Sequence, residues 1–330
     1  MTYPAFRDIY RARQTIAPHV RRTPLLPSPA LGGAPIWLKL ESAQHTGAFK
    51  LRGAANKMLS LSEAERARGV VAVSTGNHGR AVAHMGRALG IRVVVCISEL
   101  VPAVKRAAIE DLGAEVHVAG AGQEQAMVYA DELVRKQGLA MVPPFDDPHI
   151  IAGQGTIGLE IVEDAPEVTQ VVVPLSGGGL VSGIALAIKS IDSGIRVVAV
   201  SAEASPGMIE SLRLGRPVDI PEEASLADSL GGGLGERNDY TMAMVERLVD
   251  VHVTVSEDEI ARAMAFAFRH HRLVTEGGGA VAIAAQLAGK VPPPPVTGST
   301  PAVAGPTVLV VSGGNIDPDH FLDIVRRHPA

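Results

Sequence analysis

At 330 residues, with 46% hydrophobic and 20% charged side chains, the chain is long enough for two domains or one large α/β unit and too apolar for wholesale disorder. Lys and Arg number 30 against 35 Asp and Glu, a formal charge of −5 without a dense basic run, which argues against a nucleic-acid partner. The one cysteine, Cys96, lies in an apolar run and cannot form an internal disulfide, so a reducing, cytoplasmic location is expected. The start Met1-Thr2-Tyr3-Pro4 lacks a basic-then-apolar leader pattern, and no apolar stretch reaches the roughly 18 residues of a membrane span.

In chain order, the opening segment predicts a helix with Phe6, Ile9, Tyr10, Ile16 and Val20 close to one face. Short β-branched runs at 70–73, 91–97 and 115–118 predict strands, as do 171–174, 195–201 and 307–311, each mostly apolar, as in sheets covered on both faces. Between them, 77–89, 102–112, 122–136 and 181–191 predict helices. Repeated βα units imply a largely parallel sheet flanked by helices, an α/β fold. Segment 291–306, rich in Pro, Gly, Ser and Thr, predicts a surface loop before the last strand.

Four segments carry candidate chemistry. The run 171–180 ends in Ser176, Gly177, Gly178, Gly179 and Leu180 before a helical pattern. A strand feeding a glycine turn and a helix start aims several N–H groups at one point, which suits a phosphate. A dinucleotide fingerprint fits only in part: Gly177 and Gly179 match, but the third glycine position holds Ser182, with Glu203 as the possible acidic partner. That leaves a nicotinamide dehydrogenase as a remote alternative. In Ser42-Ala-Gln-His-Thr-Gly-Ala-Phe-Lys-Leu-Arg-Gly53, Lys50 taken alone reads as a solvated helix lysine, like Lys57. Ser74, Thr75, Gly76, Asn77 and His78 follow the 70–73 strand and suit either a carboxylate site or an ordinary helix cap. The last segment is Ser312-Gly-Gly-Asn315, after the final strand.

In combination and order these segments resemble the threonine dehydratase and serine racemase group of fold-type-II enzymes, which use pyridoxal 5'-phosphate. The resemblance runs from about residue 5 to 325. It rests on T-G-x-F-K-x-R-G around Lys50, S-x-G-N-H at 74–78, the glycines 177–179 and S-G-G-N at 312–315. I-A-G-Q-G-T at 151–156 and E-G-G-G-A at 276–280 support it. Within the group, S-L-A-D-S-L-G-G-G at 225–233 looks most like the dehydratases of hydroxyectoine utilisation.

The resemblance implies two α/β domains, each with a mostly parallel sheet flanked by helices. A large cofactor-binding domain would comprise 1–52 and 147–330, and a small domain, 53–146, would close over the substrate. Lys50 would form the Schiff base, which needs a neutral amine and hence some desolvation. Ser176, Gly177, Gly178, Gly179 and Leu180 would hold the cofactor phosphate, Asn77 would contact the ring hydroxyl, and Glu276 would lie against the cofactor. Ser312 would face the ring nitrogen and leave it neutral, which suits β-elimination. Ser74, Thr75, Gly76 and His78 would bind the substrate carboxylate.

The activity expected is dehydration and deamination of a small β-hydroxy amino acid by a homo-oligomer that binds no nucleic acid or membrane. An amino-acid racemase is the near alternative and a non-catalytic sensor the remote one, which retention of Lys50 disfavours. Thr75 stands where racemases of the group place a serine hydroxyl as the acid opposite the lysine, which keeps racemisation open. Its methyl group restricts χ1 and would aim the hydroxyl at the substrate carboxylate, so racemisation is expected as a minor activity at most. Ala48 and Gly277-Gly278 depart from the group's usual Ser and Pro-Ser or Pro-Ala. The positions that ligate a divalent metal in some relatives hold Glu203, Gly207 and Ile209, and Ile209 cannot ligate, so no metal is expected and Glu203 reads as structural. No C-terminal effector domain is expected.

Overall fold

A computed structural model describes residues 2–74, 76–99, 101, 103–221, 223–297 and 303–328. The strands among them are β1 (Leu25–Pro27), β2 (Ile36–Leu40), β3 (Val70–Val73), β4 (Val93–Ile97), β5 (Glu115–Val118), β6 (Ala140–Met141), β7 (Gln170–Pro174), β8 (Arg196–Ala202), β9 (Val251–Val255), β10 (Val296–Thr297), β11 (Val303–Ala304) and β12 (Thr307–Val311). One sheet has the order β1-β2-β12-β7-β8-β9 and another β5-β4-β3-β6. Every neighbouring pair in these two sheets is parallel except β1 with β2.

The helices are α1 (Phe6–Ile16), α2 (Lys50–Leu59), α3 (Glu63–Arg68), α4 (Asn77–Leu89), α5 (Ala103–Glu110), α6 (Gln123–Gln137), α7 (Pro148–Asp164), α8 (Gly179–Ile191), α9 (Gly207–Leu214), α10 (Thr241–Leu248), α11 (Glu257–His271), α12 (Gly277–Leu287) and α13 (Pro318–Arg327). None of these is long and apolar enough to cross a membrane. Their starts follow local chemistry. Asp147 caps α7 by accepting N–H from His149 and Ile150, with Pro148 in the first turn, where its missing N–H costs nothing. Ser62 with Glu65, and Ser256 with Glu259, form reciprocal boxes at α3 and α11.

Strand alternation divides the large core into two layers. Val172, Val198, Val200, Leu309 and Val311 pack with α11, α12 and α13 on one face. Val171, Val173, Val197, Ala199 and Val308 pack with α7 and α8 on the other. Each fully buried Val contributes about 1.5–3 kcal/mol. In the small sheet, Val70, Ala72, Val93 and Val95 face α2 and α4, while Val71, Val73, Val94 and Cys96 face α6. Cys96 is therefore a core residue, and burial pushes its thiol up to about 11.

Glu115–Val118 is a strand, as expected, at the edge of its sheet and exposed at both ends. The structure corrects two sequence expectations. The opening helix stops at Ile16 and buries Ile9, Ala12 and Ile16, so Val20 lies beyond it and Tyr10 is half exposed. Segment 291–306 is not all loop, because β10 and β11 pair antiparallel within it. Proline lacks the N–H but keeps its carbonyl, and Pro292 and Pro293 accept hydrogen bonds from Gln170 (3.1 Å) and Arg196 (2.6 Å).

Candidate active site

Parallel strands end on the same side of their sheet, which is where α/β folds gather ligand-binding loops. After β2 comes the 41–49 loop and Lys50, after β7 the 175–178 turn, and after β12 Ser312 and Asn315. After β3 of the small sheet come Ser74 and Gly76, with Asn77 and His78 opening α4. The 41–49 loop is fixed by Phe49 N–H donating to Ser312 O (3.0 Å), Gly314 N–H donating to Gly47 O (2.9 Å) and a bridge between Ala48 and Gly313.

Lys50 is the first residue of α2, and its Nζ donates to Pro144 O at 2.7 Å, 5.2 Å from the Phe49 ring centre. Burial lowers its pKa to about 8, against an opposing pull from Glu276. The solvated-lysine reading therefore fails for Lys50. It fails for Lys57 too, which pairs with Asp147 at 2.6 Å.

Asn77 Nδ2 donates to Glu276 Oε1 at 2.6 Å, and its Oδ1 accepts from Asn315 Nδ2 at 2.7 Å. Burial raises the Glu276 carboxyl to about 7, with the Asn77 bond opposing and the Asp228 charge adding to the shift. His78 Nε2 donates to Val142 O at 2.8 Å. Burial and the Lys50 charge lower its pKa to about 3, so the imidazole is neutral with its proton on Nε2. Ser74 Oγ accepts the Gly76 N–H at 3.3 Å. Thr75 lies outside the described residues.

The 176–180 turn opens α8 without a side-chain cap. Gly178 adopts φ +84°, which a side chain would resist, and a Cβ on Gly177 would run into the Phe145 ring. Ser176 is half-buried, while Gly177, Gly178, Gly179 and Leu180 are buried. Asp146, next to Phe145, accepts N–H from Asp239, Tyr240 and Thr241 and so ties the segment 142–147, a strap beside this turn, to the start of α10. Ser312 is buried and donates to Gly278 O at 3.3 Å.

These features fit pyridoxal phosphate. The amine has a depressed pKa, an uncapped helix start follows a turn closed to side chains, and the buried hydroxyls of Thr46 and Thr275 lack a partner. Glu203 stands apart, half exposed and paired with Lys290 at 3.3 Å.

Sequence reasoning missed the strap 142–147, whose carbonyls hold Lys50 and His78; main-chain acceptors leave no residue signature. It also missed the buried cluster of Lys39, Glu41, Arg52 and Glu160. A charge inside an apolar run, such as Lys39 in I-W-L-K-L, was the available signal.

The family model described as "Pyridoxal-phosphate dependent enzyme" matches residues 16–299. An L-threonine ammonia-lyase of Thermotoga maritima is 44% identical over 324 residues, covering 97% of this chain and 78% of that one. A catabolic L-threonine dehydratase of Escherichia coli is 42% identical over 316 residues, covering 95% and 93%. The solved structure of maize serine racemase superposes with a TM-score of 0.88 at 31% identity, covering 99% and 98%.

Proposed function

The chain belongs to the family of pyridoxal-phosphate dependent enzymes, and from that membership we propose that it deaminates threonine or a similar small β-hydroxy amino acid by β-elimination. Water leaves across Cα–Cβ and is taken up again on hydrolysis, so the net products are a 2-keto acid and ammonia. The observation that carries the reading is the Lys50 amine, held by Pro144 O with its pKa lowered to about 8.

Bound pyridoxal phosphate supplies an aldehyde for the substrate amine and a ring that withdraws electrons from Cα. The N–H groups of 176–180 and the dipole of α8 hold the phosphate. Lys50 Nζ removes the Cα proton, and its low pKa makes the neutral form available near neutral pH. Asn77 would donate to the oxygen of the ring hydroxyl, and Ser312 would face the ring nitrogen. Ser74, Thr75 and Gly76 receive the substrate carboxylate. His78, expected from the sequence to bind that carboxylate too, is instead buried and neutral with its Nε2 proton given to Val142 O, and it orients the strap that carries Pro144. The unit 53–146 closes over the substrate against 1–52 and 147–330 and excludes water.

Borohydride reduction and peptide mapping of the purified protein test the assignment of Lys50. An adduct on Lys57 overturns it, and Lys50→Ala abolishes turnover while the fold persists. A screen for ammonia and keto-acid release, across threonine, serine, 3-hydroxyaspartate and the hydroxylated diaminobutyrate expected from hydroxyectoine, identifies the substrate. The similarity to a serine racemase favours racemisation as a second reading. Thr75→Ala then removes racemisation and spares elimination, as chiral analysis of recovered substrate reads out. A wild-type protein that interconverts enantiomers faster than it releases ammonia reverses the order of the two activities.

A further inference from the structure

Asn315 closes a ring of hydrogen bonds at the cofactor end of α4. Its Nδ2 donates to Thr46 O at 2.8 Å and to Asn77 Oδ1 at 2.7 Å, so both N–H bonds of that amide are engaged. Asn77 Nδ2 donates to Glu276 Oε1 at 2.6 Å, and the same carboxylate accepts the backbone N–H of Asn315. The turn before Lys50 is pressed against this side chain: Gly47 has φ +74°, and a Cβ there would lie 2.6 Å from Asn315 Oδ1.

The ring decides which way the Asn77 amide faces. Asn315 presents N–H to Asn77, which must answer with its oxygen. Glu276 presents an acceptor, which must be met by Nδ2. An Asn77 amide turned by half a rotation would set N–H against N–H at Asn315 and oxygen against oxygen at Glu276. Such contacts are most costly where water is excluded. One Asn77 N–H is then left for another acceptor.

We propose that Asn315 is a positioning residue that fixes Asn77 as a hydrogen-bond donor toward the ring hydroxyl of the cofactor. This rests on the reading of Asn77 as the partner of that hydroxyl. A donor at this place favours the ionised ring oxygen, whereas an acceptor favours the protonated one. Asn315→Asp keeps the shape but offers only acceptors, so Asn77 lies between two carboxylates, either orientation of its amide leaves one oxygen against oxygen, and it is no longer fixed as a donor toward the cofactor.

The test titrates the cofactor-free protein with pyridoxal phosphate and with an analogue lacking the ring hydroxyl. Asn315→Asp is expected to bind pyridoxal phosphate about tenfold more weakly and the analogue within about twofold of the wild type. Asn315→Ser, too short to reach Asn77, is expected to show the same selectivity at a smaller loss. The pH at which the bound cofactor's absorbance changes should rise in Asn315→Asp. Equal losses on both ligands in both variants, with Asn77→Ala still selective, make Asn315 a structural strut and overturn the proposal. If Asn77→Ala itself weakens both ligands equally, the reading of Asn77 fails first.

Discussion

Lys50 and Glu276 are pushed in opposite senses by the same cause, since burial penalises whichever form is charged. With Lys50 lowered to about 8, competitive labelling of the cofactor-free protein by acetic anhydride should show its reactivity rising with a midpoint near pH 8. A midpoint near 10.5, the ordinary lysine value, would show an amine open to solvent. For Glu276 the folded value of about 7 lies above the unfolded 4.5, so the folded state binds more protons between those limits. Its contribution to stability is full below pH 4.5 and is lost as pH rises through 7. Glu276→Gln should flatten that part of the urea-stability profile, a gain on the order of 3 kcal/mol at most above pH 7. At the ring nitrogen, Ser312→Asp should hold the ring protonated and raise transamination relative to elimination. An unchanged product ratio would mean that Ser312 only ties β12 to α12 through Gly278.

At the scale of elements, the start of α8 depends on a neighbour far away in sequence. Phe145 lies where a side chain on Gly177 would be, so Gly177→Ala should displace the turn and weaken cofactor binding about tenfold or more, with Phe145→Leu in the same chain restoring part of the loss. A double variant no better than the single one would place the damage elsewhere. The strand-turn-helix pattern of this element was legible in the sequence because glycines and a buried apolar strand are local signals. So was α4, whose predicted limits 77–89 match Asn77–Leu89. The strap 142–147 was not, because its work is done by carbonyls and by one ring whose contacts are set by tertiary packing. The short strands β1, β6 and β10 were missed for a related reason, since two or three paired residues carry too little pattern to register.

For the whole molecule, the buried charges matter most. Arg52, two residues beyond Lys50, meets Glu41 at 2.8 Å and Glu160 at 2.6 Å, and Lys39 meets Glu160 at 2.7 Å. Two cations thus face two anions, joining β2, α7 and the helix that carries Lys50. Burial raises Glu160, but Arg52 and Lys39 outweigh it and the net shift is downward. Its contribution to stability is therefore present above the unfolded value of 4.5 and is lost as pH falls through the lower folded value. Arg52→Met leaves the carboxylates in excess in a buried site and should cost about 3–5 kcal/mol in urea unfolding. Arg52→Met with Glu41→Gln restores the balance of charge and should recover a large part of that loss. Arg52→Lys keeps the charge but not the fork that reaches both carboxylates, so it should fall between the single variant and the wild type. If the double variant is no more stable than Arg52→Met, packing of the guanidinium, and not its charge, is what holds α2 in place.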